Sequence, residues 1–182
     1  MVLPQRVSKI KFNIEVRMNK LMELGMKTYA RVFGLIDYLQ SPLLLAVRLY
    51  WGWQFFETGK GKLGDISNVV DFFTSLNIPH PMFNAYLVGY TEMIGGALLF
   101  LGLGSRLISF PLTINMTMAY VTADREALSQ IFSDPGKFYA ADPYTFFFAS
   151  LLILIFGPGK ISLDGLIAYI MRKRAGQKAV LA

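Results

Sequence analysis

The sequence predicts an all-α protein, a membrane four-helix bundle with an N-terminal amphipathic interfacial helix and a short C-terminal interfacial helix. Three observations carry that expectation. Hydrophobic residues make up 54% of the 182-residue chain and charged residues only 16%, more apolar surface than a soluble globule of this size readily hides. The charges cluster in the first forty residues and the last eleven, leaving four apolar blocks at about 42–56, 85–103, 107–121 and 143–156. Those blocks are continuous in apolarity rather than alternating, which favours helices, because a backbone in hydrocarbon must satisfy its own hydrogen bonds.

A helix crossing about 30 Å of hydrocarbon needs roughly 20 residues, so the shorter blocks borrow a turn from their flanks. The chain then divides into a basic leader, 1–41, a four-helix body, 42–160, and a tail, 161–182. In the leader, from Phe12 to Tyr38, apolar residues recur at three- and four-residue spacings (Met18, Leu21, Met22, Met26, Tyr29, Val32, Phe33, Ile36) with Lys20, Lys27 and Arg31 among them. That pattern predicts an amphipathic helix in the headgroup region, with docking to another subunit as the alternative. Ser41 and Pro42 form a candidate N-cap and first-turn pair that restarts the chain as the first crossing. In the tail, Gly157-Pro158-Gly159 ends the fourth block and Ser162 can cap a helix with Leu163, Leu166, Ile167, Ile170 and Met171 on one face. Arg172, Lys173 and Arg174 then suit its C-terminal dipole and Gly176 stops it.

Lysines and arginines outside the blocks divide thirteen to four between the two sides, which places both termini in the cytoplasm of a multi-pass inner-membrane protein. Arg6, Lys9, Lys11 and Lys178 contribute to the larger number. The net charge of +6 is read as attraction to anionic headgroups, with membrane lipids rather than nucleic acid as the partner. No cleavable signal peptide is expected, because the first apolar block begins only near residue 42. The chain has no cysteine and one histidine, His80. No disulfide, thiolate nucleophile, cysteine-held cluster or histidine-rich metal site follows, and any redox cofactor must diffuse or be held by a partner. No metal site is expected.

Arg48 and Glu92 are the charges inside the blocks, where an ionised group costs at least about 2.5 kcal/mol. Arg48 shares a helix face with Gly52, and Glu92 with Gly89, Gly95 and Gly96, and such glycines mark close helix packing in membranes. Both side chains are therefore expected to turn inward and pair, either as a clamp fixing helix register or as a ligand or proton site. Trp51, Tyr90 and Asn115 fall at similar depth, and a cleft with an arginine, a carboxylate and aromatic walls would suit a quinone headgroup. Glu92 is then the candidate catalytic residue. On the cytoplasmic side, Arg106 and Asp164 are expected to form a salt bridge, the alternative being that Asp164 serves a helix dipole. Lys60 and Lys62 in Gly59-Lys60-Gly61-Lys62 are candidates for meeting a small anion, against a solvated turn. His80, between two prolines, is a candidate proton carrier, against an incidental loop residue.

These residues carry a resemblance. Arg48, Gly52, Phe55, Gly59 and Lys62-Leu63, then Glu92 with Gly95-Gly96, Gly102-Leu103 leading to Ser105-Arg106, and Gly157-Pro158-Gly159 with Ser162-Leu163-Asp164 together resemble the DoxX family of four-span membrane proteins. The likeness covers about residues 42–165 and leaves residues 1–40 outside. It implies a membrane component associated with quinone-linked redox systems. One expectation is an accessory subunit of a respiratory or photosynthetic complex, not catalytic alone, with other subunits or further copies as partners. The other is a quinone-binding subunit of a thiosulfate:quinone-type oxidoreductase with Arg48 and Glu92 at the quinone. A transporter is disfavoured because four crossings leave little room for a path. Bound lipids and quinone are the expected small-molecule companions.

Overall fold

The computed structural model describes the backbone of residues 3–180 and the side chains of residues 17–31, 33, 34 and 38–175. The expectations placed on Arg6, Lys9, Lys11, Phe12, Val32, Ile36 and Lys178 lie outside the described side chains. Every regular element among the described residues is helical: α1 Leu3–Gly64, α2 Ile66–Ser75, α3 Pro81–Leu101, α4 Ser105–Thr122, α5 Arg125–Ser129, α6 Pro135–Ala140, α7 Pro143–Phe156 and α8 Leu163–Val180. The chain divides into two compact units, 1–40 and 41–182.

In the first unit the helix is two-faced. Met18, Leu21, Met22, Met26, Tyr29 and Phe33 are exposed and fall on one side at helical spacing, while Lys20, Glu23, Lys27 and Arg31 fall on the other. Lys27 donates to Glu23 at 2.7 Å, one turn away, and the Tyr29 and Phe33 rings lie 4.0 Å apart.

In the second unit the sequence breaks set the helix ends. Pro81 opens α3 after His80, whose φ is 49°; proline suits a first turn, where its missing N–H would have no partner. At the other end Gly102 takes a φ of 72°, and the N–H groups of Gly102 and Leu103 return to the carbonyls of Leu99 and Leu98 at 3.1 and 3.0 Å. That pair of bonds closes the last turn of α3 and needs a residue tolerant of the left-handed region. Pro143 opens α7 and Gly157, with a φ of 81°, ends it.

Two expectations about boundaries are corrected. Pro42 does not restart the chain, because it lies inside α1, and Ser41 Oγ accepts the N–H of Lys160 at 3.2 Å instead of capping a new helix. Proline forfeits one ladder bond there, and packing of the following turns compensates. Gly176 does not stop the tail helix either, since α8 runs on to Val180; a single glycine costs only about 1 kcal/mol inside a helix. The connection after the first block is also more ordered than a loop, for α1 continues to Gly64 and α2 follows.

The body is held by two kinds of contact. Between α1 and α3, running antiparallel, glycines let the backbones touch: a Cβ at Gly52 would lie 2.7 Å from Phe100 N, one at Gly59 2.7 Å from Gly89 O, and one at Gly96 2.6 Å from Gly52 O. Between the other helices Leu44, Phe55, Leu99, Leu112, Met116 and Ile153 form the core, with Val47, Ile108, Phe146 and Phe147 packed against it. Phe55 and Phe146 meet edge to face at 4.8 Å. Outward-facing positions are themselves apolar, among them Leu43, Ile94, Leu107, Phe110, Phe148 and Ile155. Among the described residues no helix is both long and apolar enough to cross a membrane.

Substitution at Gly96 has nowhere to go, because its neighbours are backbone atoms of α1. Gly96→Ala should lower stability by about 1–3 kcal/mol. Gly25→Ala, which meets nothing within 4 Å, should be neutral or stabilise by up to about 1 kcal/mol. Denaturation of the two variants in matched detergent, followed by circular dichroism, measures the contrast.

Candidate functional site

Arg48 and Glu92 both turn inward, each 1% exposed, but they do not pair with one another. Arg48 sits at the end of the bundle where α3 finishes. Its Nη2 donates to the carbonyl of Ile161 at 2.5 Å, and Nη1 occupies the space a side chain at Gly102 would need. Gly102 is thus fixed twice, by its left-handed backbone and by the guanidinium packed on it. Glu92 lies ten residues earlier on α3, about 15 Å along the axis, and its Oε2 accepts from Lys62 Nζ. Each charge therefore takes a partner at its own level. The expected Arg48–Glu92 pair assumed that the first crossing stopped near Phe56, whereas the two further turns of α1 carry Lys62 alongside α3.

The Lys62–Glu92 pair is asymmetric. The carboxylate is enclosed and its Oε1 takes no hydrogen bond among the described residues, while the lysine side chain is 33% exposed. A buried carboxylate without a cation carries a large desolvation cost, which the contact with Lys62 offsets. Gly59 makes this possible by bringing α1 against the backbone of Met93 and Gly89. Lys60 and Lys62, expected to meet an anion together, have separate partners: Lys62 bonds Glu92, and Lys60 lies 3.9 Å from Glu57 on the surface.

The residues expected to form one quinone cleft are dispersed. Tyr90 lines an apolar groove of about 410 Å³ between α3 and α4, together with Tyr86, Thr91, Ile94, Gly95 and Pro111. Tyr86 and Tyr90 stack along it at 6.3 Å. Arg48, Trp51, Glu92 and Asn115 are not part of that lining. Trp51 meets Tyr50 edge to face at 4.7 Å, and the half-buried Asn115 leaves Nδ2 without a hydrogen-bond acceptor. His80 is exposed at the start of α3.

The expected Arg106–Asp164 salt bridge is replaced by two separate contacts. Arg106 Nη2 donates to the carbonyl of Ile155 at 3.1 Å, near the end of α7. Asp164 accepts from the backbone N–H groups of Gly104 and Ser105 at 2.8 and 2.9 Å, capping α4 from across the fold. The first turn of a helix has N–H groups with no internal acceptor, and one carboxylate satisfies two of them. Burial by itself would raise the Asp164 pKa, but the bonds from Ser105 and Gly104 outweigh it and hold the carboxyl below its ordinary value, helped by the positive charge of Arg48. The backbone N–H of Asp164 also donates to Gly102 O at 2.9 Å. Sequence reasoning missed Lys62 as the partner of Glu92, although Gly52, Gly59 and Lys62 share one face of α1 and so pointed to it. Nothing local announced the reach of Asp164 back to α4.

Residues 43–125 match the model of the DoxX family. The chain is also 31% identical over 83 residues to a Bacillus subtilis (strain 168) protein named "Putative oxidoreductase CatD". That match covers 46% of this chain and 60% of the relative, so the likeness spans little more than half of the relative's length. No solved structure matches the chain.

Two outcomes follow from the geometry. Lys62→Met should destabilise by about 2 kcal/mol or more, less than a fully enclosed pair because Lys62 is partly solvated, and Lys62→Met with Glu92→Leu should recover most of the loss. Unfolding of the single and double variants tests this. Asp164, with its pKa lowered by folding, contributes stability that is complete above about pH 4 and is lost as pH falls through the depressed value. Asp164→Asn should be less stable than the parent at neutral pH and should lose part of the acid-side decline, as read from unfolding at a series of pH values.

Proposed function

We propose that this chain is an integral membrane accessory subunit of a quinone-linked redox complex, respiratory or photosynthetic, with both termini in the cytoplasm. The observation that carries the membrane part is the placing of charge. Arg48 and Glu92, the charged residues within the apolar blocks, are each 1% exposed, while Leu43, Leu107, Phe110, Phe148 and Ile155 face outward. That is the arrangement hydrocarbon as solvent demands. Average hydropathy along one helix counts Glu92 as though it met lipid, so a bundle that hides its polar groups can cross where no helix qualifies by itself. The 21 residues of α3 extend about 31 Å. The 14 residues of α7 extend about 21 Å, so local thinning or flanking residues would serve it.

The redox part rests on the DoxX match and on the oxidoreductase in the name of the Bacillus relative. Without cysteine, the chain would take electrons to or from a cofactor held by partners, which favours an accessory role over catalysis alone. A quinone contact, in this reading, uses the apolar groove at Tyr86 and Tyr90 for the tail. The alternative, a quinone headgroup held jointly by Arg48 and Glu92 in a thiosulfate:quinone-type enzyme, has less support because those groups lie at different levels of α3.

Isolation of the native assembly in mild detergent is the direct test. Redox subunits and quinone should accompany the chain, and its loss should lower the assembly's abundance. Recovery of the chain without any redox subunit would overturn the proposal. Protease digestion of sealed vesicles should remove both termini from the cytoplasmic side only.

A further inference from the structure

The tail helix α8 leaves the bundle at a fixed point. Arg48 holds the carbonyl of Ile161, Asp164 is bonded to Gly102, Gly104 and Ser105, and Gly165 donates to Ser162 Oγ at 3.0 Å. Beyond this anchor the helix carries Leu163, Leu166, Ile167 and Ile170 in one stripe at three- and four-residue spacing, all exposed. Asp164 is the one acid of α8, and its carboxylate is spent on α4. Arg172, Lys173 and Arg174 follow, exposed, and no described carboxylate pairs with them.

The placing of those cations selects the occupant of the stripe. Lys173 and Arg174 continue the line of Leu166, Ile167 and Ile170, whereas Arg172 lies on the opposite side of the same turn. A surface that covers the stripe must therefore be apolar along its length and anionic at its end, and must offer a negative group to the far side of the helix as well. An apolar groove on another protein would bury Lys173 and Arg174 with the stripe and leave Arg172 without a partner, while a layer of lipid headgroups lets long basic side chains reach upward to phosphate from any side.

We propose that α8 lies on a bilayer surface rich in anionic phospholipid, with Leu163, Leu166, Ile167 and Ile170 in the acyl border and Arg172, Lys173 and Arg174 among the headgroups. The inference rests on the membrane reading above and adds a lipid class to it. The full chain is reconstituted into nanodiscs of phosphatidylcholine alone or with about one third phosphatidylglycerol, and amide exchange of residues 165–175 is followed by mass spectrometry. Exchange should be about tenfold slower in the anionic discs, and the difference should shrink to within about twofold in R172Q/K173Q/R174Q, which keeps the anchor at Asp164 intact. Equal exchange in the two lipids, with the protein inserted in both, overturns this inference and leaves the membrane reading standing. Protection that depends on protein concentration rather than lipid charge overturns it in favour of a second copy. Failure to enter either disc removes both.

Discussion

The contact on which the second unit depends is the close approach of α1 and α3 across Gly52, Gly59 and Gly96. With Cβ atoms there, backbone would meet side chain at 2.7 Å or less, well inside van der Waals contact, and the helices would have to move apart. At the observed separation Lys62 can reach Glu92 and the aromatic face of Phe55 can close the core against Phe146. Small residues thus do more than permit packing, because they set the distance at which a buried carboxylate finds its cation. Van der Waals contact between backbones is short-ranged, so the interior charge and the glycine seam stand or fall together.

A second constraint acts at the end of the bundle where α3, α4, α7 and α8 begin or finish. Four helix ends in one region expose many backbone donors and acceptors that the helices themselves cannot satisfy. The chain resolves this with side chains: Arg48 supplies a donor to Ile161, Arg106 one to Ile155, Ser41 accepts from Lys160, and Asp164 accepts from Gly104 and Ser105. The buried arginine is then mainly a fastener of the 157–164 segment. Asp164 provides negative charge that offsets part of the cost of its burial, so a charge that looked like half of a ligand site is engaged in holding the tail.

Much of the helix pattern was legible from apolar blocks and breakers, and the reason is local. The block at 143–156 coincides with α7 because proline and glycine fix both of its ends within the segment. The inward turning of Arg48 and Glu92 was legible for the same kind of reason, since each lies on a glycine face of its own helix. Their partners were not. Which cation meets Glu92 depends on how far α1 runs past its apolar part, and the polar stretch from Glu57 to Gly64 carries no apolar signal by which to judge it. Likewise the Asp164 cap joins residues about sixty positions apart, and its formation depends on how the 157–162 turn folds back. Ser41-Pro42 misled for the opposite reason, because a strong local signal for a helix start was overridden by packing.

The separation of the two buried charges bears on what the bundle can do chemically. A shared site for one headgroup would need Arg48 and Glu92 within a few ångströms of the same ligand, yet Arg48 is already committed to Ile161 and screened behind Gly102. Both charges retain buried polar atoms without a partner among the described residues, Nε and Nη1 of Arg48 and Oε1 of Glu92, but the counter-charge of Glu92 comes from a side chain that reaches solvent. Of the two buried charges, Glu92 is thus the one whose partner reaches solvent, and Arg48 the one bonded into the 157–164 segment. That division leaves the Gly102 end of the bundle tied to the root of α8 and places the ion pair at the middle of α3.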